Sequence, residues 1–146
     1  MTVTIRCCEP LPVPPAVVWA DIERIDTHPE WMRDAVRIEF RSDERRGVGA
    51  EFVCVTRIGP LRTQDRLVVT EWVPARLLAI RHEGHVQGVG RFSLRPVGVG
   101  AELCWEETLR FPWWMGGPVG ERLARPVLAR TWRANLARLR RRLAAR

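Results

Sequence analysis

The chain reads AELCWEETLRF over residues 101–111, and this stretch shows the clearest strand pattern in the sequence. Its apolar members fall on one face of an extended strand, with polar residues between them: Leu103, Trp105, Leu109 and Phe111. A strand of this kind covers a core with one face and meets solvent with the other. The stretch therefore predicts an antiparallel sheet with a single buried face.

Five further strand-length segments precede this strand, and short turns rich in glycine and proline separate them. The segments are residues 36–41, 50–58, 62–73, 77–83 and 88–95. Short connections make successive strands antiparallel neighbours, so the six strands are predicted to form a meander. Residues 2–8 alternate in the same way and predict a first strand, which brings the sheet to seven strands.

Helices are predicted at both ends of the meander. Pro14 and Pro15 stand where a helix starts, and residues 16–22 follow with helical spacing. Residues 26–32 predict a second, very short helix. After the last strand, one apolar stripe predicts a long amphipathic helix. The stripe consists of Val119, Leu123, Val127 or Leu128, Trp132, Leu136, Leu139 and Leu143.

This long C-terminal helix decides the architecture. It is the only predicted element long enough to cover the apolar face of a curved sheet, so the elements indicate an α+β fold. Pro126 is expected to kink this helix or to begin its main segment, because proline lacks the backbone N–H. At 146 residues the chain has the length of one domain, so residues 1–146 are predicted to form a single domain.

The net charge of +7 is concentrated at the end of the chain, and all 24 basic residues are arginine. Residues 118–146 hold nine arginines and a single acid, Glu121, whereas the rest of the chain is nearly neutral. The sequence shows no recognised nucleic-acid motif and the arginines spread over several helix faces, so sequence-specific nucleic-acid binding is not expected. A solvated helix face that can meet an acidic partner is favoured.

Cysteine spacing and apolar runs bear on metal binding and location. The four cysteines are Cys7, Cys8, Cys54 and Cys104. They form no CxxC pair and no zinc spacing, so reduced thiols in a cytosolic protein are predicted, with no metal site. No basic leader precedes an apolar stretch, and no apolar run is long enough to span a bilayer. A cytoplasmic location is therefore expected, and transient membrane contact and the oligomeric state stay open.

Short motifs in a fixed order give a family resemblance. They read PPAVVWA (14–20), HPEW (28–31), GVGAEF (47–52), EWVPARL (71–77) and GAEL (100–103). With the apolar stripe over residues 132–143, they resemble the SRPBCC (START-related, helix-grip) superfamily over essentially the whole chain. The similarity is to its polyketide cyclase/dehydrase-like or coenzyme-Q-binding-like branch. The resemblance implies a curved seven-stranded antiparallel sheet wrapped around the long helix, with two short helices after strand 1.

The resemblance also implies a hydrophobic cavity between the sheet and the last helix, which takes lipids, polyketides, steroids or quinones. The residues expected around this cavity are Trp31, Phe52, Cys54, Leu67, Val69, Phe92, Leu94, Trp105, Glu107, Leu109, Trp113, Leu128 and Trp132. The alternative is that the apolar ones fill a solid core. Cys54 is interpreted as a small buried hydrophobe, because no histidine is placed by sequence to activate it as a nucleophile.

Glu107 is the candidate catalytic residue. By strict alternation it shares a face with Trp105 and Leu109, which would place a carboxylate in apolar surroundings. Such a carboxylate suits a general acid or base, or a hydrogen bond to a ligand hydroxyl. An ion pair with an inward arginine, or a twist toward solvent, remains the alternative, and Glu71 presents the same choice.

Two further clusters attract attention. His82, Glu83 and His85 surround a turn and are predicted to form a solvent-exposed hairpin rather than a metal site. The segment FPWWMGG (111–117) lies, in the family resembled, near a cavity opening. It is interpreted as a gate for an apolar ligand or as a patch that touches a membrane or partner. The alternative is packing against the second helix around Trp31.

Three functions stay open at this point. The main hypothesis is binding of a hydrophobic small molecule without a cofactor, with the mouth of the cavity near Trp31 and Trp113. The rival is a polyketide cyclase or aromatase acting on a poly-β-keto chain, which needs a shaped cavity and one or two proton shuttles. The absence of tyrosine counts against this rival. A basic protein-interaction module on the C-terminal helix is the third.

Overall fold

Seven antiparallel strands form one sheet in the computed structural model, which describes residues 2–145. The strands are β1 (Val3–Leu11), β2 (Ala35–Phe40), β3 (Glu51–Ile58), β4 (Leu61–Val73), β5 (Leu77–Glu83), β6 (Gln87–Val97) and β7 (Gly100–Arg110). Strands β2 to β7 pair in chain order as the predicted meander, and β1 pairs with β7. The two edges of the sheet are therefore β1 and β2.

The helices follow the predicted order. Helix α1 (Pro15–Ile22) and a 3₁₀ helix (Ile25–Glu30) come after β1. Helix α2 (Gly117–Ala144) comes after β7, preceded by one 3₁₀ turn (Trp113–Met115). The α+β helix-grip fold is thus confirmed. Among residues 2–145, no helix is long and apolar enough to cross a membrane.

The start of α2 is set by glycine and not by Pro126. Gly116 and Gly117 have φ values of 94° and 50°, a left-handed conformation that costs glycine little. This sharp turn directs the chain back across the sheet, and Pro118 follows in the first turn of the helix. Pro126 lies inside the helix, which continues past it without a break.

Trp132 fixes α2 to the concave face of the sheet. Its ring is buried and stacks on Trp105 of β7 with 5.0 Å between centroids and 23° between planes. Leu136, Leu139 and Leu143 continue the same buried stripe toward the end of the helix. The second half of the predicted stripe is therefore correct.

The first half of that stripe is wrong. Val119, Leu123 and Val127 are exposed, and the buried side of this part of α2 is formed by Glu121 and Leu128. A repeat of four residues drifts by about 40° per step on a helix of 3.6 residues per turn. The series through Val127 and the series through Leu128 consequently lie on opposite faces, and only the second one meets the sheet.

A buried amide ties α2 to the chain before β2. Asn135 is fully buried, and its Oδ1 accepts a hydrogen bond from the backbone N–H of Arg33 at 3.1 Å. Its Nδ2 donates to Asp34 Oδ1 at 2.6 Å, and Arg138 Nε donates to the Trp31 carbonyl at 3.1 Å. Burial raises the pKa of the Asp34 carboxyl, and the bond from Asn135 only partly offsets this. These bonds hold residues 31–34 against the helix.

Arg142 holds the other end of α2. Its guanidinium lies 3.0 Å from a Glu30 oxygen and 3.4 Å from an Asp21 oxygen, and Asp21 is buried. The bridge joins the end of α2 to both short helices. A buried carboxylate is costly unless it is paired, so the contact of Arg142 with Asp21 stabilises this junction.

Cys8 and Cys104 form a disulfide across β1 and β7. The two residues are directly paired in the register, with Cα atoms 4.1 Å apart. The prediction of reduced thiols is therefore wrong for this pair, although Cys7 and Cys54 are free. Spacing alone missed the bond because 96 residues separate the two cysteines and the pairing of β1 with β7 is a tertiary feature.

His28 is a buried neutral anchor for the 3₁₀ helix. Its Nε2–H donates to the Ile22 carbonyl at 2.9 Å, and its ring packs on Trp31 and Phe92. Burial lowers the pKa of His28 to about 4. The HPEW motif thus carries a structural histidine.

Replacing Trp132 by alanine removes the stack on Trp105 and opens a void beneath α2. We expect Trp132→Ala to lower the free energy of unfolding by about 3–5 kcal/mol, measured from urea midpoints. Trp113→Ala is the matched control, since that ring is exposed and its loss is expected to change the midpoint little. A near-neutral Trp132→Ala would show that α2 does not depend on this contact.

His28 makes the fold sensitive to acid. Between about pH 6.5 and 4 the unfolded chain binds a proton that folded His28 does not, so stability falls as the pH falls through this window. We expect this residue to account for about 2–3 kcal/mol of loss between pH 7 and 4.5. In urea titrations His28→Gln should lack that part of the loss, whereas exposed His85→Gln should match the wild type. Parallel profiles for both variants would contradict a neutral buried His28.

Candidate functional site

A cavity of about 180 Å³ lies between the concave face of the sheet and α2. Most of its wall is apolar and comes from the inward faces of β3 to β7 and from α2. Nine of the predicted residues surround it: Phe52, Cys54, Leu67, Phe92, Trp105, Glu107, Leu109, Leu128 and Trp132. The space beside the Trp105–Trp132 stack is therefore open, and a solid core does not fill it.

The other four predicted residues lie elsewhere. Trp31, Val69 and Leu94 are buried in the packed core and do not line the cavity, and Trp113 is exposed to solvent. Trp31 sits behind Phe92 and Trp105, with ring centroids 6.0 and 6.4 Å away. Alternation predicts the face on which a side chain lies, but it does not predict its depth along a curved sheet.

The open side of the cavity is consequently not beside Trp31. The cavity opens at the end where the β3–β4 turn, the β5–β6 turn and the chain after β7 come together. The lining side chains there are half-buried or exposed. The residues at this mouth are Ile58, Leu61, Val86, Phe111 and Met115. Trp114 lies next to it and contacts the His85 ring, with centroids 5.3 Å apart. The FPWWMGG segment thus borders the opening and does not pack on Trp31.

Glu107 points into the cavity, as its place in β7 predicted. It is buried, and its Oε1 accepts a hydrogen bond from His82 Nε2–H at 2.7 Å. The prediction that His82 lies on a solvent-exposed hairpin is wrong, because only 15% of its side chain is accessible. The pair is a charge-assisted hydrogen bond set in an apolar wall.

Glycines on β6 allow this pair to form. His82 is on β5 and Glu107 is on β7, so β6 lies between them, and strands two apart are about 9–10 Å away. Gly90 is paired with Glu107 in the register, and a Cβ atom there would lie 2.6 Å from Glu107 Oε1. Without a side chain at Gly90, the two polar groups reach across the middle strand.

Electrostatics favour a proton on His82. Burial lowers the pKa of His82, but the Glu107 carboxylate and the hydrogen bond to it outweigh burial, and Asp65 adds to their effect. The net pKa of His82 is raised. The pair therefore offers a proton donor and an acceptor at one spot, which suits binding a polar group or moving a proton.

Three further polar residues that could take part in chemistry have structural roles instead. Asp65 Oδ1 accepts the backbone N–H of His85 at 2.7 Å and holds the β5–β6 turn. Burial raises the pKa of the Cys54 thiol to about 11, so the thiol stays protonated and is a poor nucleophile. Glu71 lies on the outer face and pairs with Arg91 at 3.0 Å. Asp65 and Cys54 shape the cavity wall, which leaves His82 and Glu107 as the groups placed to exchange a proton.

His82, Glu83 and His85 do not converge on a metal position. His82 bonds Glu107, Glu83 pairs with Arg81 at 2.8 Å, and His85 meets Trp114. Among residues 2–145, the one group with metal-ligand proximity is Cys8, Glu102 and Cys104, and its two sulfurs are joined to each other.

Sequence analysis missed His82 as a partner of Glu107, although the chain carries a signal for it. GVG over residues 88–90 places two glycines on the same face of a predicted strand. Two inward-facing glycines have no side chains, so they leave a gap on the inner face of the strand. Side chains from the two neighbouring strands can meet in that gap.

The fold is found in solved structures of low sequence identity. A Thermus thermophilus protein, TTHA0849, has a TM-score of 0.82 at 17% identity, with 98% of each chain covered. The Zhui aromatase/cyclase from Streptomyces sp. R1128 has a TM-score of 0.78 at 14% identity, covering 99% of this chain and 94% of that one. Ara h 8.0201 has a TM-score of 0.72 at 12% identity over the whole of both chains. At such identities the likeness establishes the fold alone.

Sequence comparison places the chain in a family. No protein with a curated description matches it. Residues 3–144 match the family described as "Polyketide cyclase / dehydrase and lipid transport". The match spans nearly the whole chain and agrees with the motifs, the fold and the cavity, so the chain belongs to the polyketide cyclase/dehydrase and lipid transport family.

Proposed function

We propose that residues 1–146 act as one ligand-binding domain for a hydrophobic small molecule that carries a hydroxyl or carbonyl group. The observation that carries this proposal is the His82–Glu107 pair, a buried donor and acceptor in an otherwise apolar cavity. Apolar pockets with a few placed polar groups are the usual form of small-molecule sites. The pair favours a polyketide-like or quinone-like molecule, or a lipid with a polar end, over a plain hydrocarbon.

The cavity also limits the size of the ligand. Its volume of about 180 Å³ is small beside the roughly 300–1,000 Å³ of pockets that enclose drug-sized molecules. A molecule of one or two fused rings suits the enclosed space, and a longer ligand would extend through the mouth between Phe111 and Leu61. The flat stack of Trp105 and Trp132 offers an aromatic wall to a planar ligand.

A cyclase or dehydratase is the second candidate, and the same pair favours it. A poly-β-keto chain folded in the cavity would bring its carbonyl groups and acidic C–H groups near a proton donor and an acceptor. The family description names cyclases and dehydrases, and the Zhui protein is named an aromatase/cyclase. Turnover of a poly-β-keto substrate that Glu107→Gln abolishes would establish this activity, and binding without turnover would exclude it for that substrate.

The binding proposal is tested with two matched probes, 2-naphthol and naphthalene, which differ by one hydroxyl. We expect the wild type to bind both and to prefer 2-naphthol. Glu107→Gln should weaken 2-naphthol binding about tenfold and leave naphthalene unchanged, because a hydrogen bond to a charged group is lost. Quenching of tryptophan fluorescence provides the titration.

Glu106→Gln is the control, because Glu106 faces the other side of β7 and lies 3.8 Å from Arg6. It should leave the affinity for both probes unchanged. Equal losses for the two probes in Glu107→Gln would show a change of shape instead of a lost polar contact. Failure of the wild type to bind either probe, with no apolar molecule released from purified protein, would count against the proposal.

The protonation of His82 in its pair with Glu107 is tested by NMR titration. We expect its pKa to lie above the ordinary value of about 6.5 in the wild type and to fall below it in Glu107→Gln, where burial, the largest effect, is opposed only by Asp65. Because the folded pKa is raised, the stabilisation from the pair is complete below about pH 6.5 and is lost as the pH rises through the folded pKa. The same His82 pKa in both proteins would refute the coupling.

A further inference from the structure

Exposed apolar side chains gather on the first half of α2 and the 3₁₀ turn before it. Trp113, Val119 and Leu123 are 86%, 67% and 71% exposed, and Trp114 and Val127 are also exposed. Val119, Leu123 and Val127 follow at intervals of four residues, so they lie on one side of the helix, opposite Leu128. These five side chains are called the outer apolar face.

Two arginines without carboxylate partners lie beside this face. Across the sheet, arginines such as Arg66, Arg81 and Arg95 are paired with glutamates. In contrast, Arg122 and Arg130 have no carboxylate within 4.0 Å among the residues that the structure describes, and both are exposed. At about 100° per residue, Arg130 lies on the same side of α2 as Val119 and Leu123, and Arg122 lies beside them. This part of α2 therefore carries uncompensated positive charge that an anionic partner would neutralise.

The acid in this part of the chain does not reduce that charge at the surface. Glu121 is buried, and its Oε1 accepts the backbone N–H of Phe111 at 3.0 Å. It acts as a link between the chain after β7 and the first turns of α2. The outward side of the helix keeps only apolar and cationic groups.

We propose that the outer apolar face docks on the surface of an anionic lipid bilayer. An interfacial helix buries apolar side chains at the headgroup boundary while arginines bind anionic headgroups, and tryptophan favours the same depth. Nucleic acid would neutralise the charge of the arginines, but Trp113 and Leu123 would stay exposed to water. The combination of an apolar centre and a cationic rim therefore favours lipid.

The position of the face supports this choice of partner. Phe111 and Met115 belong to the same segment and line the mouth of the cavity, so apolar surface continues from the outer apolar face into the interior. A bilayer is the partner that presents both anionic groups and an apolar phase to such a surface. The inference concerns a surface outside the cavity and stands whether or not the proposed ligand site is correct.

Vesicle flotation of the full chain tests the proposal. We expect binding to phosphatidylcholine vesicles that contain about 30 mol% phosphatidylglycerol, and little binding to phosphatidylcholine alone. Raising the salt from about 0.1 M to about 0.5 M should weaken the binding, because the attraction of the arginines is screened. Arg122→Gln and Arg130→Gln should each reduce partitioning about fivefold.

The apolar contribution is tested by Leu123→Glu and by Trp113→Ala. We expect the two substitutions, combined in one chain, to reduce partitioning tenfold or more. Val99→Glu is the matched control, since Val99 is 92% exposed in the β6–β7 turn, at the end of β6 away from the mouth. All of these sites are at the surface, so urea midpoints should stay near the wild-type value. Equal partitioning of the control and the Leu123 variant would overturn the proposal.

Other results would also overturn it. Equal binding to neutral and anionic vesicles would show that the arginines play no part. Absence of vesicle binding together with concentration-dependent self-association that Leu123→Glu abolishes would identify the face as a contact between protein chains. Absence of both would leave the face without the lipid partner that the charge pattern indicates, and the proposal would fail.

Discussion

The stack of Trp132 on Trp105 is the contact on which the rest of the structure depends. It joins the long helix to the middle of the concave sheet, and two large flat rings keep the helix from settling directly on the strands. On one side of the stack, Trp31 fills the core behind Phe92 and Trp105, whose ring centroids are 5.1 Å apart. On the other side the space stays open. Core and cavity are thus two consequences of one aromatic contact.

The polar pair depends on the same geometry together with an absence of side chains on β6. Once the sheet curves around α2, the inward residues of β5, β6 and β7 crowd toward one another, and Gly90 relieves that crowding at the level of Glu107. The cavity can then hold a carboxylate and an imidazole, which would be costly if each were buried alone. The 2.7 Å hydrogen bond between them offsets the cost of burying both groups. Both groups still face the cavity, where they can bind the polar group of a ligand.

The alternation of residues along a strand predicts from the sequence which side chains face inward. The contacts between residues far apart in the chain could not be predicted in this way. The alternation of β7 placed Glu107 beside Trp105 and Leu109 on the inner face, and the structure agrees. The partner of Glu107 was missed, because residue order does not show that His82 crosses a glycine gap two strands away. The Cys8–Cys104 bond was missed for the same reason. On α2 the apolar spacing fitted two series, and only contact with the sheet separates Leu128 from Val127.

The two halves of α2 are held with unequal strength. The second half is fixed by buried leucines, by Asn135 and by Arg142, whereas the first turns rest mainly on Glu121 and Leu128. Local opening is easiest where few buried contacts must be broken, so amide exchange should be fastest in these first turns. They follow directly on Phe111 and Met115, which line the mouth of the cavity. A helix-stabilising substitution on the outer side of these turns would then slow their amide exchange without altering the cavity wall.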